Sequence, residues 1–110
     1  MHKVQIISSV GKIPKIPLTF PRLVISCSDF RIYASIVDYK RQFHISVSVR
    51  YNEVEDINAY NSDIENVGTA LAKIALHAQI KTVRFLAPHF ADNSTKRLIK
   101  SVIKNGVKVV

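Results

Sequence analysis

The sequence predicts an α/β (α+β) fold of order β-β-β-α-β-α, a mixed sheet with its helices on one face. Three observations carry this. Phe43–Arg50 alternates apolar and polar residues without a break, the period of a strand buried on one face. Val67, Leu71, Ile74, Ala75 and Ala78 recur at helical spacing and give one buried stripe. A second amphipathic stretch ends at Asn105-Gly106, and Ile80–Phe85 between the two stripes reads as a buried strand. Three antiparallel strands followed by an α-β-α unit bury their apolar faces best as one sheet covered on one side.

Residues 1–21 read as an extended basic arm, and residues 22–110 as a single α/β domain. In the arm, Pro14 and Pro17 each remove a backbone donor and restrict the residue before them, so Lys12–Pro17 cannot form a regular helix. Leu23–Cys27 is a short β-rich run, Ser28-Asp29-Phe30 has turn chemistry, and Arg31–Val37 alternates. Asp38–Gln42 is a polar turn before the Phe43–Arg50 strand. Tyr51–Asn61 is polar and acidic, and reads as a loop. Ser62 with Glu65 three residues later fits a capping box at the start of the first helix, where Asp63 and Glu65 suit the positive helix end. Ala87–Asn93 is a loop, Asn93 or Ser94 can cap the second helix, and Val107–Val110 can return as a terminal strand.

Charge is segregated along the chain. The net charge is +8, yet five of the eight carboxylates fall between Glu53 and Glu65. Residues 1–50 carry eight basic side chains against Asp29 and Asp38, and residues 81–110 carry seven against Asp92. Such a field suits a polyanion, because each Lys or Arg placed on a phosphate releases condensed counterions. With 47% hydrophobic and 22% charged residues, composition excludes wholesale disorder. No apolar run reaches the roughly 18 residues of a membrane span, and no membrane partner is expected. Cys27 is the only cysteine, so no intrachain disulfide is possible and a reducing compartment is expected.

Strand parity divides the sheet into two faces. Ile32, Ala34 and Ile36 join Phe43, Ile45, Val47 and Val49 against the helices. The other face presents Arg31, Tyr33 and Ser35 beside His44, Ser46, Ser48 and Arg50, with Ser26 and Ser28 alongside and no carboxylate. Hydroxyls, an aromatic ring and guanidinium groups suit sugar and phosphate contacts to RNA. Arg22, Arg31, Tyr33, Arg41 and Arg50 are the leading candidate contacts, with Lys12 and Lys15 from the arm. Lys96, Lys100 and Lys104 follow one another at i, i+4 and i+8, with Arg97 alongside, as a second basic stripe, and Lys96, Arg97 and Lys100 are further candidate RNA contacts. Enzyme chemistry is not expected. His2, His44, His77 and His89 lack metal-ligand spacing, Cys27 shows no local activation, and three glycines give no phosphate-cradling loop. No cofactor, metal or small-molecule substrate is implied.

Arg22-Leu-Val-Ile followed by Arg31-Ile-Tyr-Ala-Ser-Ile-Val resembles the opening strands of the ribosomal large-subunit protein eighteen family, which binds 5S rRNA in the central protuberance. Val67-Gly68 through Ala75, and then Ile80-Lys81-Thr82-Val83-Arg84-Phe85, is similar to that family's helix and following strand. Lys104-Asn105-Gly106-Val107 resembles its closing Arg-Glu-Ala-Gly-Leu. The resemblance runs from about Arg22 to the C-terminus. The small-subunit protein eleven family shares a Gly-Ile-Lys-X-Val segment and the architecture, but its Gly-Pro-Gly-Pro-Gly-Arg loop is absent here.

The resemblance implies a fold of the type shared by components of the translation machinery. It also implies a structural role in the large subunit, with 5S or large-subunit rRNA and neighbouring central-protuberance proteins as partners. This chain departs from the family in three places. A sparse Lys-Pro arm replaces an arginine-rich one, Ser26-Cys27 stands where His-Arg is usual, and Ala91-Asp92-Asn93-Ser94 replaces Tyr-His-Gly-Arg. Each removes an expected RNA contact, which points to an organellar ribosome in the mitochondrial matrix. A bacterial cytoplasmic or plastid ribosome, and a scaffold held mainly by neighbouring proteins, are the alternatives.

Overall fold

The alternation over residues 22–50 becomes three antiparallel strands, β2 (Arg22–Cys27), β3 (Arg31–Asp38) and β4 (Phe43–Arg50). The computed structural model describes residues 5–12, 20–52, 56–86 and 91–110. Gln5–Lys12 form β1, and the chain continues through α1 (Ile57–His77), β5 (Thr82–Phe85), α2 (Asn93–Lys104) and β6 (Lys108–Val109). The strands lie in the order β1-β4-β3-β2-β5-β6, with β2–β5 and β5–β6 parallel. The mixed α/β class expected from the sequence is the observed one.

Topology fixes where the helices go. β4 runs parallel to β5, and the α1 crossover between them passes β3 and β2. The α2 crossover from β5 to β6 moves in the same direction. Crossovers between parallel strands are right-handed in nearly all proteins, so two that move the same way place both helices on one face. Ile32, Ala34, Ile36, Ile45, Val47 and Val49 are accordingly buried in one cluster with Ile64, Val67, Leu71 and Ala75 of α1 and Leu98 and Val102 of α2. Phe43, at the end of β4, is only partly buried.

Part of the expected arm is sheet. Gln5–Lys12 pair antiparallel with the whole of β4, from Gln5 opposite Arg50 to Lys12 opposite Phe43. Without this strand β4 would be an edge with unpaired backbone groups, and the segment contains no proline to prevent pairing. Residues 1–4 and 13–19, including Lys15, lie outside the described residues, as do 53–55 of the acidic loop and 87–90 of the later loop.

The helix starts also differ from expectation. α1 begins five residues before Ser62, capped by Asp56, whose carboxylate accepts from the N–H groups of Asn58 (2.9 Å) and Ala59 (3.4 Å). Burial of Tyr60 in the first turn favours the earlier start, because its hydroxyl donates to Ser28 O of the β2–β3 turn at 2.8 Å. α2 is capped by Asp92 rather than Asn93 or Ser94, and Asp92 Oδ1 accepts from Thr95 N at 2.8 Å. That bond holds the Asp92 carboxyl below its usual pKa, as expected of a cap that must be charged. The expected buried strand Ile80–Phe85 is shorter, Thr82–Phe85, and only Val83 within it is fully buried.

Both helices stop in the same hydrogen-bonding pattern. After α1, Gln79 N donates to Leu76 O and Ile80 N to Ala75 O. After α2, Gly106 N donates to Ile103 O and Val107 N to Val102 O. This paired 5→2 and 6→1 arrangement needs a left-handed residue at the pivot. Gly106 supplies it at φ +103°, but Gln79 adopts it at φ 63° with a side chain. Gln79→Gly should therefore relieve roughly 1 kcal/mol of steric cost, partly offset by the added freedom of the unfolded chain. A net gain of a few tenths of a kcal/mol in urea unfolding is expected, and a net loss would show that the Gln79 side chain makes a compensating contact.

The helices cross closely at Gly68. A Cβ there would lie 2.7 Å from Ser101 Cβ and 2.9 Å from Leu98 O. Polar side chains bind the crossing. Ser101 Oγ donates to Glu65 O at 2.6 Å, and Asn105 Nδ2 donates to Thr69 Oγ1 at 3.0 Å and to Ser101 O at 2.8 Å.

Candidate nucleic-acid interface

The outer face of the sheet is laid out by register. Arg31 of β3 lies opposite Arg50 of β4, and the next row joins Ser48, Tyr33 and Ser26. Ser46, Ser35 and Val24 form the row beyond it, followed by His44, Val37 and Arg22. Arg22 is in turn opposite Arg84 of β5. Two arginine pairs thus mark the ends of the face. Six residues of β3 separate their rows, about 20 Å of extended chain.

Each end adds an aromatic ring. The Arg31 guanidinium carbon is 5.1 Å from the Tyr33 ring centroid, and that of Arg84 is 5.7 Å from the exposed ring of Phe20. Asp38, the only acid within the described strands, has the parity of the opposite face. Among the described residues no carboxylate pairs with Arg22, Arg31, Arg50 or Arg84. Like charges directly opposite one another on neighbouring strands are destabilising. An anion placed between Arg31 and Arg50 replaces that repulsion with charge-assisted hydrogen bonds.

The face is less open at its middle than alternation implies. Ser35 is 2% exposed, since a short side chain on an inner strand lies below longer neighbours. The His44 ring lies against Gly11 of β1, and its Nδ1 is buried with no partner among the described residues.

Of the sequence candidates, Arg22, Arg31, Tyr33 and Arg50 share this face. Arg41 does not. Its Nε pairs with Asp38 Oδ2 at 2.8 Å, its Nη1 donates to Ala78 O at 2.9 Å, and it packs 4.9 Å from the Phe43 ring centroid. Those contacts fasten the β3–β4 turn to the end of α1 and occupy the guanidinium. Lys12 is exposed at the sheet edge, in register with Phe43 and so with the helix side. Lys96, Arg97 and Lys100 are exposed on α2, in the helix layer, where Arg97 pairs with Glu65 at 3.2 Å. Sequence reasoning missed Arg84 and Phe20. The available signal was the alternation of polar Thr82 and Arg84 with apolar Val83 and Phe85, which marks a strand with one open face.

A separate polar cluster lies beyond the Arg31–Arg50 end. Tyr51 and Tyr60 are both buried, with ring centroids 5.5 Å apart, and Tyr51 Oη donates to Asp63 Oδ2 at 2.6 Å. Burial, assisted by the nearby Asp92 charge, pushes the Cys27 thiol up to about 11, so at neutral pH it is protonated and a poor nucleophile. Burial likewise pushes Tyr60 up to about 12, and burial with the Asp63 hydrogen bond raises Tyr51 further. All three groups are neutral in the folded protein at pH values where the unfolded chain ionises. The contribution of these three groups to stability should therefore be constant at neutral pH and fall as the pH rises from about 9 through 12, whereas the Asp92 cap loses its contribution only in acid. Urea midpoints measured across that range check this, and a flat profile to pH 12 would refute it. Among the described residues, no three His, Cys, Asp or Glu side chains gather in a metal-binding group.

No protein-family model matches this chain, and no curated protein matches it.

Proposed function

We propose that this protein is a non-catalytic constituent of the large ribosomal subunit and binds rRNA through the outer face of its sheet. The observation that carries this reading is the opposed pair Arg31 and Arg50, without an acidic partner among the described residues, on a face to which the described strands contribute no carboxylate. Tyr33 offers a stacking surface, the serine rows offer hydroxyl contacts, and Arg22 with Arg84 extends the basic surface to the other end. The resemblance over residues 22–110 makes 5S rRNA or the adjoining large-subunit rRNA in the central protuberance the proposed ligand. The reduced set of basic contacts favours a mitochondrial ribosome. The proposed role is positional.

Two measurements test the proposal. Crosslinking the protein in purified large subunits and sequencing the attached RNA should recover rRNA joined to β3 and β4, whereas exclusive crosslinks to neighbouring proteins would reassign it as a scaffold. Salt supplies the second. Four arginines on phosphates give a log–log slope of about −3, or roughly a hundredfold loss of affinity between 50 and 200 mM salt. Contacts dominated by apolar protein surfaces respond far less.

A further inference from the structure

On the solvent side of the helix layer, α1 and α2 leave a groove of about 590 Å³. Lys96, Lys100 and Lys104 form its α2 wall, and Asn66 and Thr69 form its α1 wall. We propose that this groove takes the sugar-phosphate backbone of a second RNA segment, so that the protein joins two RNA segments, one on each layer. The bridging half of the proposal rests on the reading of the sheet face given above.

Charge is the first support. None of the three lysines has an acidic partner among the described residues, and the one carboxylate in the groove, Glu65, is occupied by Arg97 at 3.2 Å. The groove is therefore net positive. Its spacing is the second, because four helical residues rise about 6 Å, so the lysines form a regular row of mobile point charges along one wall. The lining is the third. Amide and hydroxyl groups face the lysines, and no large apolar side chain lines the groove. A docking protein finds no pocket there for an aromatic or aliphatic anchor, whereas a phosphodiester chain needs donors and positive charge. Roughly 20 Å of sheet and helix separate the groove from the arginine face, so the two surfaces address different stretches of RNA.

Stoichiometry tests the inference. Native mass spectrometry of the full chain with excess short RNA duplex should show two RNAs on the wild type. One RNA should remain on Lys96→Glu/Lys100→Glu/Lys104→Glu, one on Arg31→Glu/Arg50→Glu, and none on the combined variant. All five positions are exposed, and circular dichroism verifies that each variant is folded. If the arginine variant binds no RNA, or the lysine variant still binds as many as the wild type, the groove is not an RNA site. If the lysine variant alone binds none while the arginine variant keeps one, the groove stands and the sheet-face reading falls. Absence of binding by the wild type overturns both. A polyglutamate peptide that displaces RNA from the arginine variant at equal charge assigns the groove to an acidic protein and overturns the proposal.

Discussion

Arg50→Glu is expected to change stability and RNA binding in opposite directions. In the free protein it replaces two facing guanidinium groups with an ion pair between the introduced carboxylate and Arg31 on the neighbouring strand. Cross-strand pairs of opposite charge contribute roughly 0.2–1 kcal/mol, and the relieved repulsion adds to this. The urea midpoint should rise slightly. On RNA the same change removes one charge-assisted contact and sets a carboxylate against the phosphates. A hydrogen bond to a charged group is worth about 1.5–3 kcal/mol, so binding should weaken by at least tenfold. Reversing Arg31 as well removes both contacts, and the loss at this face should reach the order of a hundredfold, visible as weakened co-sedimentation with large subunits. Unchanged co-sedimentation of Arg31→Glu/Arg50→Glu would count against the sheet face as the interface. A binding loss with an equal loss of stability would show that the arginines serve the fold instead.

Gly68→Val should be strongly damaging to the fold. Two effects oppose each other for any side chain at this position. Replacing glycine within a helix by alanine gains about 1 kcal/mol of helix propensity, and valine gains less because it is β-branched. Against this, the first carbon alone would sit 2.7 Å from Ser101 Cβ and 2.9 Å from Leu98 O. Leu98 O is backbone of α2, so relief requires the helices to separate. Separation would strain the bonds from Ser101 to Glu65 O and from Asn105 to Thr69. Overpacking of this kind costs about 1–3 kcal/mol for small additions, and the two extra methyl groups of valine should exceed it. Gly68→Ala is expected to be destabilising by about 1 kcal/mol net, and Gly68→Val by about 3 kcal/mol or more in chemical denaturation. A valine variant as stable as the wild type would mean that the helices pack farther apart in solution.

Much of the architecture was legible because it depends on local periodicity. The alternation of Phe43–Arg50 assigned every residue of β4 to its face, and Ile45, Val47 and Val49 are buried as the parity requires. The end of α2 was legible because Gly106 stands where the chain must turn left-handed. The end of α1 carries no such mark, since Gln79 occupies the equivalent position. Its start was misplaced for a related reason. Ser62 and Glu65 satisfy a local capping pattern, but Asp56 wins because Tyr60 is drawn into contact with the distant β2–β3 turn. Local capping energies of about 1 kcal/mol yield to burial of an aromatic side chain.

The candidate site was legible to the same extent. Parity placed Arg31, Tyr33 and Arg50 on one face before any fold was known, and it left that face without a carboxylate. Parity has no information about strand order or about partners distant in sequence. The parallel β2–β5 pairing is what brings Arg84 beside Arg22, and packing then sets Phe20 against it. Folding likewise removes Arg41 from the set, because Asp38 and the end of α1 meet there. The direction in which each strand residue points was already present in the chain, since it follows from the two-residue repeat of the backbone. Which cations remain unpaired and neighbouring was left to the crossovers, because Coulomb and hydrogen-bond energies depend on distances that no linear pattern contains.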